Sequence, residues 1–435
     1  MTIGLSLVMI FVESTYLITK NPIYEKMAKF WVHIFAIIFA VGVATGLVQV
    51  FAFGTNWGNF SHFVGDVFGS ILGAEAVFAF FLESGFIGLL LFGWNRIGPK
   101  MHLFATVMVS IASHFSAIWI VAANSWMQTP AGYQILGEGP ARHAVITSWW
   151  AVINNPSAVN RLFHVIFGAW LAGAFLVMSV AAYYLIRRRH LEFARKTFMI
   201  SLIYCSIVVI AQGISGDSTG RDVAHLQPIK LAAMEGVFET QANTPLYAAG
   251  FVSEKNRETK GISIPGMLSF LIYRQFGKAV PGLDQFPQEL WPPVGVVFQT
   301  YHWMLFMWGF MFLACVLGWI AFWRSRTFEK MRWAQWFCVF SVLFPQIANQ
   351  MGWYTAEIGR QPWVVYGLMR TKEGVSQNVV AGQVVFSLIL FVLIYALVFS
   401  MFIFLIDKAI KKGPHDETAI HEYRDPYKIK NRHLT

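Results

Sequence analysis

The sequence GWYTAEIGRQPW, residues 352–363, follows an apolar run that ends near Ala348. Because an apolar run of this kind can cross a membrane, we expect the segment to lie at one membrane face. Glu357 and Arg360 stand three residues apart and can share one face of a helix, which Pro362 then ends. By itself, the pattern fits a salt bridge at the membrane interface, flanked by anchoring tryptophans.

The composition is that of a polytopic membrane protein. Of the 435 residues, 56% are hydrophobic and 13% are charged, against roughly 25% charged residues in soluble domains. The net charge of +10 comes from short basic clusters between apolar runs, which is typical of topology signals and not of a nucleic-acid-binding face. The cysteines lie inside apolar runs without metal-binding spacing, so neither disulfides nor a zinc site is expected.

The apolar runs predict an all-α fold, a helical bundle of about nine transmembrane segments. Eight runs are long enough to cross about 30 Å of hydrocarbon. They lie at roughly 30–53, 70–94, 101–123, 161–186, 197–214, 296–322, 334–351 and 379–406. The first segment, up to Ile18, lacks the features of a signal peptide and is barely long enough to span. It resembles the second half of a helix whose beginning is missing.

This pattern divides the chain into four parts. Residues 1–214 carry segments one to six and residues 296–407 carry segments seven to nine. Between them, residues 215–295 form a proline-rich hydrophilic loop. Basic residues are concentrated in alternate connections, and the positive-inside rule then places the basic tail, 408–435, in the cytoplasm. The same rule places the hydrophilic loop and residues 352–378 on the outer side.

The segment from Glu357 to Trp363 resembles the signature of the larger, haem-bearing subunit of cytochrome bd-type quinol oxidases, subunit I. The resemblance implies that Glu357 is an axial ligand of a haem iron in the oxygen-reducing site. It also implies that Arg360 lies beside that carboxylate and that Trp353 belongs to the same cofactor site. A carboxylate is a reasonable ligand for ferric iron, and a cation stabilises negative charge that develops on oxygen.

Two residues near the outer ends of segments are candidate ligands of a second kind of haem. His164 lies in segment 161–186 and Met304 in segment 296–322. From spacing alone, the methionine would be core packing and the histidine would be hydrogen-bonded to a neighbour. The resemblance implies instead that they are the axial ligands of a low-spin haem b. His302 stands where the family commonly has an arginine and is a rival ligand.

Glu75 and Glu83 lie in the apolar run 70–94. Eight residues place one about 12 Å along a helix axis from the other. Carboxyl groups inside an apolar run are costly, so they are either paired with a polar neighbour or functional. The resemblance implies that they line a proton route to the haems, with Glu83 deeper and Glu75 nearer the outer surface.

The loop sequence QPIKLAAME, residues 227–235, resembles the quinol-binding segment of the family, in its short-loop type. Lys230 and Glu235 match the residues that are tied there to quinol oxidation. The chemistry is plausible because a quinol loses protons with its electrons and a carboxylate can accept one. Five residues apart, the two side chains would not share a face of a regular helix. Without the resemblance, the segment would be an exposed charged loop.

The resemblance implies a terminal oxidase of a prokaryotic cell membrane that oxidises quinol outside and reduces oxygen to water. Quinol oxidation would release protons outside, and oxygen reduction would take up protons from the cytoplasm. These two half-reactions would together generate the proton gradient. The implied cofactors are a low-spin haem b, a high-spin haem b and a haem d or a further haem b. The implied partners are a second, haem-free membrane subunit (subunit II) and small accessory subunits, with no nucleic acid.

Family members begin with an earlier half-helix whose histidine ligates a haem, and this sequence starts past that position. Two interpretations follow: a truncated start, which we favour, or a different ligand. Two other functions stay open. One is a bd-like haem electron-transfer protein that does not reduce oxygen. The other is a proton-coupled secondary transporter that uses Glu75 and Glu83, although no internal repeat is evident and the motif at 357–363 would be unexplained.

Overall fold

The computed structural model of this chain describes residues 1–324, 331–376 and 378–414. The predicted basic tail, 408–435, therefore lies outside the described residues from position 415 onward. In chain order the helices are α1 (Thr2–Thr19), α2 (Pro22–Asn56), α3 (Gly58–Phe63), α4 (Gly65–Glu75), α5 (Phe81–Phe92), α6 (Pro99–Gln128), α7 (Trp149–Ile153), α8 (Ala158–Ile186), α9 (Leu191–Leu226), α10 (Pro228–Glu235), α11 (Met267–Tyr273), α12 (Val294–Trp323), α13 (Arg332–Phe340), α14 (Leu343–Ile358), α15 (Thr371–Gly374) and α16 (Ala381–Lys412).

Eight helices within the described ranges are long and apolar enough to cross a membrane, which confirms the predicted all-α membrane fold. They are α1, α2, the continuous helix Gly65–Phe92, α6, α8, α9, α12 and α16. The eighth predicted segment, 334–351, is built from two shorter helices in succession, α13 and α14. Helix α2 begins where Asn21 accepts a hydrogen bond from the backbone amide of Ile23, and proline follows as the first helical residue.

Helix α8 lies at the centre of the bundle. It packs against α1, α6, α9, α13 and α14, and nearly all of its side chains from Gly168 to Tyr184 are buried. Backbones approach closely where α1 crosses α8, because a Cβ atom at Gly173 would lie 2.3 Å from the backbone nitrogen of Leu5. Helix α16 lies at the edge against α2, and its apolar side chains are exposed. This surface fits lipid or a membrane partner.

The connection between α9 and α12 is more structured than its proline content indicates. Helix α9 continues to Leu226, so the first polar residues of the predicted 215–295 loop are helical, and the connection between α9 and α12 begins at Gln227. The reason is local, since the first proline after the apolar run is Pro228. The connection then contains α10, an antiparallel hairpin of β3 (Leu246–Ser253) and β4 (Glu258–Ile264), and α11.

Two small hairpins lie in other connections. Strands β1 (Tyr133–Leu136) and β2 (His143–Ile146) pair antiparallel between α6 and α7. Strands β5 (Trp363–Val365) and β6 (Met369–Arg370) pair directly after α14. The second hairpin turns the chain back next to the end of α6, since Tyr366 donates its backbone amide to the carbonyl of Met127 at 2.9 Å. The Glu357 motif and the end of α6 are thereby held together.

Candidate functional site

The last turn of α14 carries Glu357 into a buried polar cluster. One carboxylate oxygen accepts a hydrogen bond from Asn124 Nδ2 at 2.9 Å, and the other accepts an ion-pair bond from Arg360. The Arg360 side chain is 4% exposed, whereas the Glu357 side chain is 35% exposed. The predicted pair is therefore present, with its guanidinium buried in the protein while the carboxylate keeps open surface. Trp353 lies on α14, one turn before Glu357, and is half-buried.

Helix α6 supplies the partners that join this carboxylate to the rest of the site. Asn124 accepts a hydrogen bond from Arg161 Nη2 at 2.5 Å. Gln128 donates from Nε2 to the carbonyl of Ala356 at 3.2 Å and to Glu357 Oε1 at 3.5 Å. Its Oε1 accepts from Lys230 Nζ at 2.5 Å. We call the set of Glu357, Arg360, Asn124, Gln128, Arg161 and Lys230 the α6-end cluster.

Lys230 and Glu357 are predicted from the sequence to belong to two separate sites, and the structure brings both into the α6-end cluster. Asn124, Gln128 and Arg161 were missed. A signal was available, because Asn124 and Gln128 stand four residues apart near the end of an apolar segment, where polar side chains share one helix face.

Both residues of the predicted quinol segment lie on α10 and are buried, unlike the side chains of an exposed loop. Their neighbours differ: Lys230 contacts α6, and Glu235 hydrogen-bonds Tyr301 of α12. Burial lowers the pKa of Lys230 well below its ordinary value, and the nearby guanidinium groups of Arg161 and Arg360 lower it further. Burial also raises the pKa of Glu235 to about 7. The second carboxyl oxygen of Glu235 has no hydrogen-bond partner in the described part of the chain.

His164 lies on α8 and faces α9, where both ring nitrogens are 3.2 Å from Gln212 Nε2 and Nδ1 is 3.3 Å from Ser215 Oγ. Met304 lies on α12 and faces α14, since a Cβ atom at Gly352 would be 3.0 Å from the Met304 sulfur. The two helices that carry these side chains, α8 and α12, both pack against α9 and α14.

The rival ligand His302 has a different role in the structure. It is 3% exposed, and its two ring nitrogens contact the carbonyl oxygens of Phe298 and Tyr247, each at 2.8 Å. Because both nitrogens face carbonyl oxygens, neither presents a lone pair to a metal. His302 therefore fixes β3 to α12.

Glu75 and Glu83 both face α6. Ser116 donates to Glu75 at 2.8 Å, and Ser113 donates to Glu83 at 2.6 Å. The helix changes to a π-helical segment, Ala76–Phe80, between the two acids, a local change that is frequent at functional sites. Ser116 is nearer than Ser113 to the α6-end cluster, so Glu75 is nearer to that cluster than Glu83 is.

The opposite end of α6 holds another buried acid. The Glu13 carboxylate contacts His102 Nδ1 at 2.9 Å and accepts a hydrogen bond from Thr106 at 2.8 Å, while His102 Nε2 contacts the carbonyl of Leu90 at 3.0 Å. Glu13 and His102 are 4% and 2% exposed. We call Glu13, His102, Thr106 and the Leu90 carbonyl the α6-start cluster. The sequence had left His102 unassigned.

Several buried polar atoms around the predicted site lack partners within the described ranges. Ten such side-chain atoms are found in all, and four of them belong to residues of the site or to its direct neighbours. These are Arg161 Nε, Arg360 Nη1, Gln212 Oε1 and Glu235 Oε2. Unpaired buried polar groups are rare in native proteins and call for an explanation, such as a ligand that completes them.

Comparison with known proteins identifies the family. Residues 1–414 match the family model described as cytochrome bd terminal oxidase subunit I. The chain is 39% identical over 428 residues to cytochrome bd ubiquinol oxidase subunit 1 of Bacillus subtilis (strain 168), covering 96% of this chain and 90% of that protein. It is 30% identical over 481 residues to cytochrome bd-II ubiquinol oxidase subunit 1 of Escherichia coli (strain K12), covering 95% of this chain and 93% of that protein.

A solved structure has the same fold. The bd oxidase from Geobacillus thermodenitrificans matches with a TM-score of 0.82 and 30% sequence identity, over 94% of this chain and 93% of the solved chain. The agreement extends over nearly the whole length in each comparison, so it covers the bundle, the connection that carries α10 and the Glu357 motif together. This chain therefore belongs to the family of cytochrome bd terminal oxidase subunit I.

Proposed function

We propose that this chain holds both the quinol site and the oxygen-reducing centre of its enzyme, joined through the α6-end cluster. Family membership makes the chain a haem-bearing subunit of a terminal quinol oxidase, a multi-pass membrane protein that pairs with a second subunit. The finer assignments are proposals. The observation that supports them best is the hydrogen-bonded link from Lys230 on α10, through Gln128, to Glu357.

The side chains present suit haem. His164 and Met304 would hold a low-spin haem b, and Glu357 would hold a haem of the oxygen centre, with Trp353 beside it. That centre would contain a high-spin haem b and a haem d or further haem b. The unpaired N–H groups of Arg161 and Arg360 suit anionic substituents such as propionates. When bound, the haems supply the electron transfer and the oxygen chemistry.

The chain's own contribution at the quinol site is proton transfer. With a pKa of about 7, the Glu235 carboxyl is partly ionised at neutral pH, and one of its oxygens has no partner within the described residues. It can therefore accept a proton as quinol is oxidised. Lys230, which lies on the same short helix and contacts α6, would donate a hydrogen bond to the quinol oxygen.

Glu83 and Glu75, with the hydroxyls of Ser113 and Ser116, are the proposed proton supply to the oxygen centre. Each carboxyl has a hydroxyl partner that can both donate and accept a hydrogen bond, which a proton relay requires. With the basic tail in the cytoplasm, quinol protons leave on the outer side and consumed protons arrive from the cytoplasm. The reaction would then generate a proton gradient across the membrane without pumping protons through the protein. Subunit II and small accessory subunits are the proposed partners.

Spectroscopy of the purified complex tests this function. We expect a reduced-minus-oxidised spectrum with a low-spin haem b signal, and a second haem signal that changes when carbon monoxide is added. A far-red chlorin band would identify haem d. A colourless protein would instead support the transporter, and haem without a carbon monoxide response would support the electron-transfer protein.

The ligand assignment is tested separately. The substitution His164→Ala should remove the low-spin haem b signal and leave the carbon monoxide-sensitive signal, because His164 would hold only the low-spin haem. The matched control is His62→Ala, at an exposed histidine of α3. An intact low-spin signal in the His164→Ala complex would refute the assignment.

A further inference from the structure

Gln128 is the last residue of α6 and is 1% exposed. Its side-chain oxygen accepts the Lys230 hydrogen bond at 2.5 Å, and its side-chain nitrogen donates to the carbonyl of Ala356 at 3.2 Å. Its backbone carbonyl accepts a hydrogen bond from Gln227 Nε2 at 2.8 Å. One residue thus joins Gln227 and Lys230, the first and fourth residues of the quinol segment, to the last turn of α14.

The surrounding charges determine the orientation of this amide. The Lys230 amine offers only donors when it is charged, while the Ala356 carbonyl and the Glu357 carboxylate offer only acceptors. The opposite orientation of the amide would place donor against donor and acceptor against acceptor. The Lys230 stem also packs against the turn after Glu357, since a Cβ atom at Gly359 would lie 3.1 Å from Lys230 Cγ.

We propose that Gln128 is a positioning residue that couples the quinol segment to the oxygen centre. This inference rests on the proposed function, in which Lys230 binds quinol and Glu357 ligates haem. Gln128 holds the Lys230 amine in the position where it binds quinol. Through the same side chain, it transmits the electrostatic effect of that amine to Glu357. Asn124 and Arg360 also bind Glu357, so loss of Gln128 leaves that carboxylate paired but leaves Lys230 without its acceptor.

A useful variant of Gln128 must not let a water molecule take the place of the lost amide. A cavity of about 20 Å³ adjoins Gln128 and is lined also by Arg161 and Asp222; it can hold one water molecule. Gln128→Ala would enlarge this cavity and let water replace the amide. Gln128→Leu fills the space without a polar atom, and Gln128→Glu keeps an acceptor for Lys230. The control is Gln299→Leu, which removes a different amide contact, from Gln299 Nε2 to the carbonyl of Gly250.

The first measurement is quinol kinetics of the complete complex. We expect Gln128→Leu to raise the KM for quinol by about tenfold, the effect of leaving a buried amine without its acceptor. Gln128→Glu should stay within about twofold of the parent, since Lys230 keeps its partner. Gln299→Leu should leave KM unchanged. An unchanged KM in Gln128→Leu, or an equal increase in Gln299→Leu, would overturn the proposal.

The second measurement is a redox titration of the carbon monoxide-sensitive haem with chemical mediators, which requires no quinol turnover. We expect Lys230→Met to shift the midpoint potential upon loss of the amine, and the shift to fall by at least half in the Gln128→Leu background. If Lys230→Met shifts the midpoint potential equally in the parent and in the Gln128→Leu background, the proposed coupling is refuted. If Gln128→Leu does not assemble, the same cycle is run with Gln128→Met, which also removes the acceptor of Lys230 and in which the shift should likewise fall by at least half. A parent complex without this haem would refute the proposed function instead.

Discussion

Each end of helix α6 adjoins a carboxylate, and the two clusters differ in how completely their buried polar atoms are paired. In the α6-start cluster, both Glu13 oxygens and both His102 nitrogens have partners. In the α6-end cluster, Arg161 Nε and Arg360 Nη1 have none within the described residues. The centres of the two clusters lie about 33 Å apart along the helix axis.

This difference separates a structural acid, Glu13, from a candidate ligand, Glu357. The pair of Glu13 and His102 fixes α1 to α6 and α5, and each of its side-chain polar atoms has a partner. A cluster with unused buried donors carries a cost that a bound anion or cofactor can offset. Burial of a carboxylate inside a membrane segment therefore does not by itself indicate catalysis.

The largest expected effect separates the two clusters directly. Glu357→Leu should abolish the carbon monoxide-sensitive haem signal and lower quinol-oxygen turnover by at least about a hundredfold, since a ligand and a charged group are lost at the reacting centre. Glu13→Leu, the matched change at the other end, should keep the haem spectrum. It should instead lower the stability by about 3 kcal/mol, because His102 and Thr106 lose their buried partner.

Absorbance spectra, oxygen consumption and thermal unfolding of the same preparations measure these effects. A Glu13→Leu complex that loses the carbon monoxide-sensitive haem while melting like the parent would refute the distinction between the clusters.

An intermediate effect concerns the unsatisfied carboxyl on α10. Because the pKa of Glu235 is raised to about 7, the group is mostly protonated below that pH and becomes a proton acceptor above it. Quinol oxidation should therefore rise with pH through about 7, and Glu235→Gln should remove this rise together with most of the activity. Steady-state rates from pH 5.5 to 8.5 measure the effect. Thr106→Val, in the α6-start cluster, is the control and should keep the parent pH profile.

The smallest effect is expected between the two clusters, at the serines of α6. Ser113→Ala and Ser116→Ala each remove one hydrogen bond to a carboxyl, a loss of about 1 kcal/mol, so turnover should fall by less than about tenfold. If the acids form a proton route, the double variant should be slower than either single variant, with an unchanged KM for quinol. Rates equal to the parent in all three would argue against that route.

Several features could be predicted without coordinates. The apolar runs predict the long helices because membrane-spanning length and hydropathy are local properties of the chain. Residues 357–363 indicate the family because that motif is contiguous. Predicted helix ends were less accurate: α9 extends to Leu226, since the first helix-breaking proline comes only at 228.

The arrangement of the site could not be predicted, for a physical reason. Periodicity tells which face of a helix is apolar, but not which distant residue fills the space opposite a polar side chain. His302 and His102 look alike in sequence, and only packing assigns the first to backbone carbonyls and the second to Glu13. The sequence by itself determined a membrane-embedded helical bundle with its family motif. Only the tertiary structure, through contacts between residues 100 or more positions apart, decided that Lys230 and Glu357 share one amide of α6.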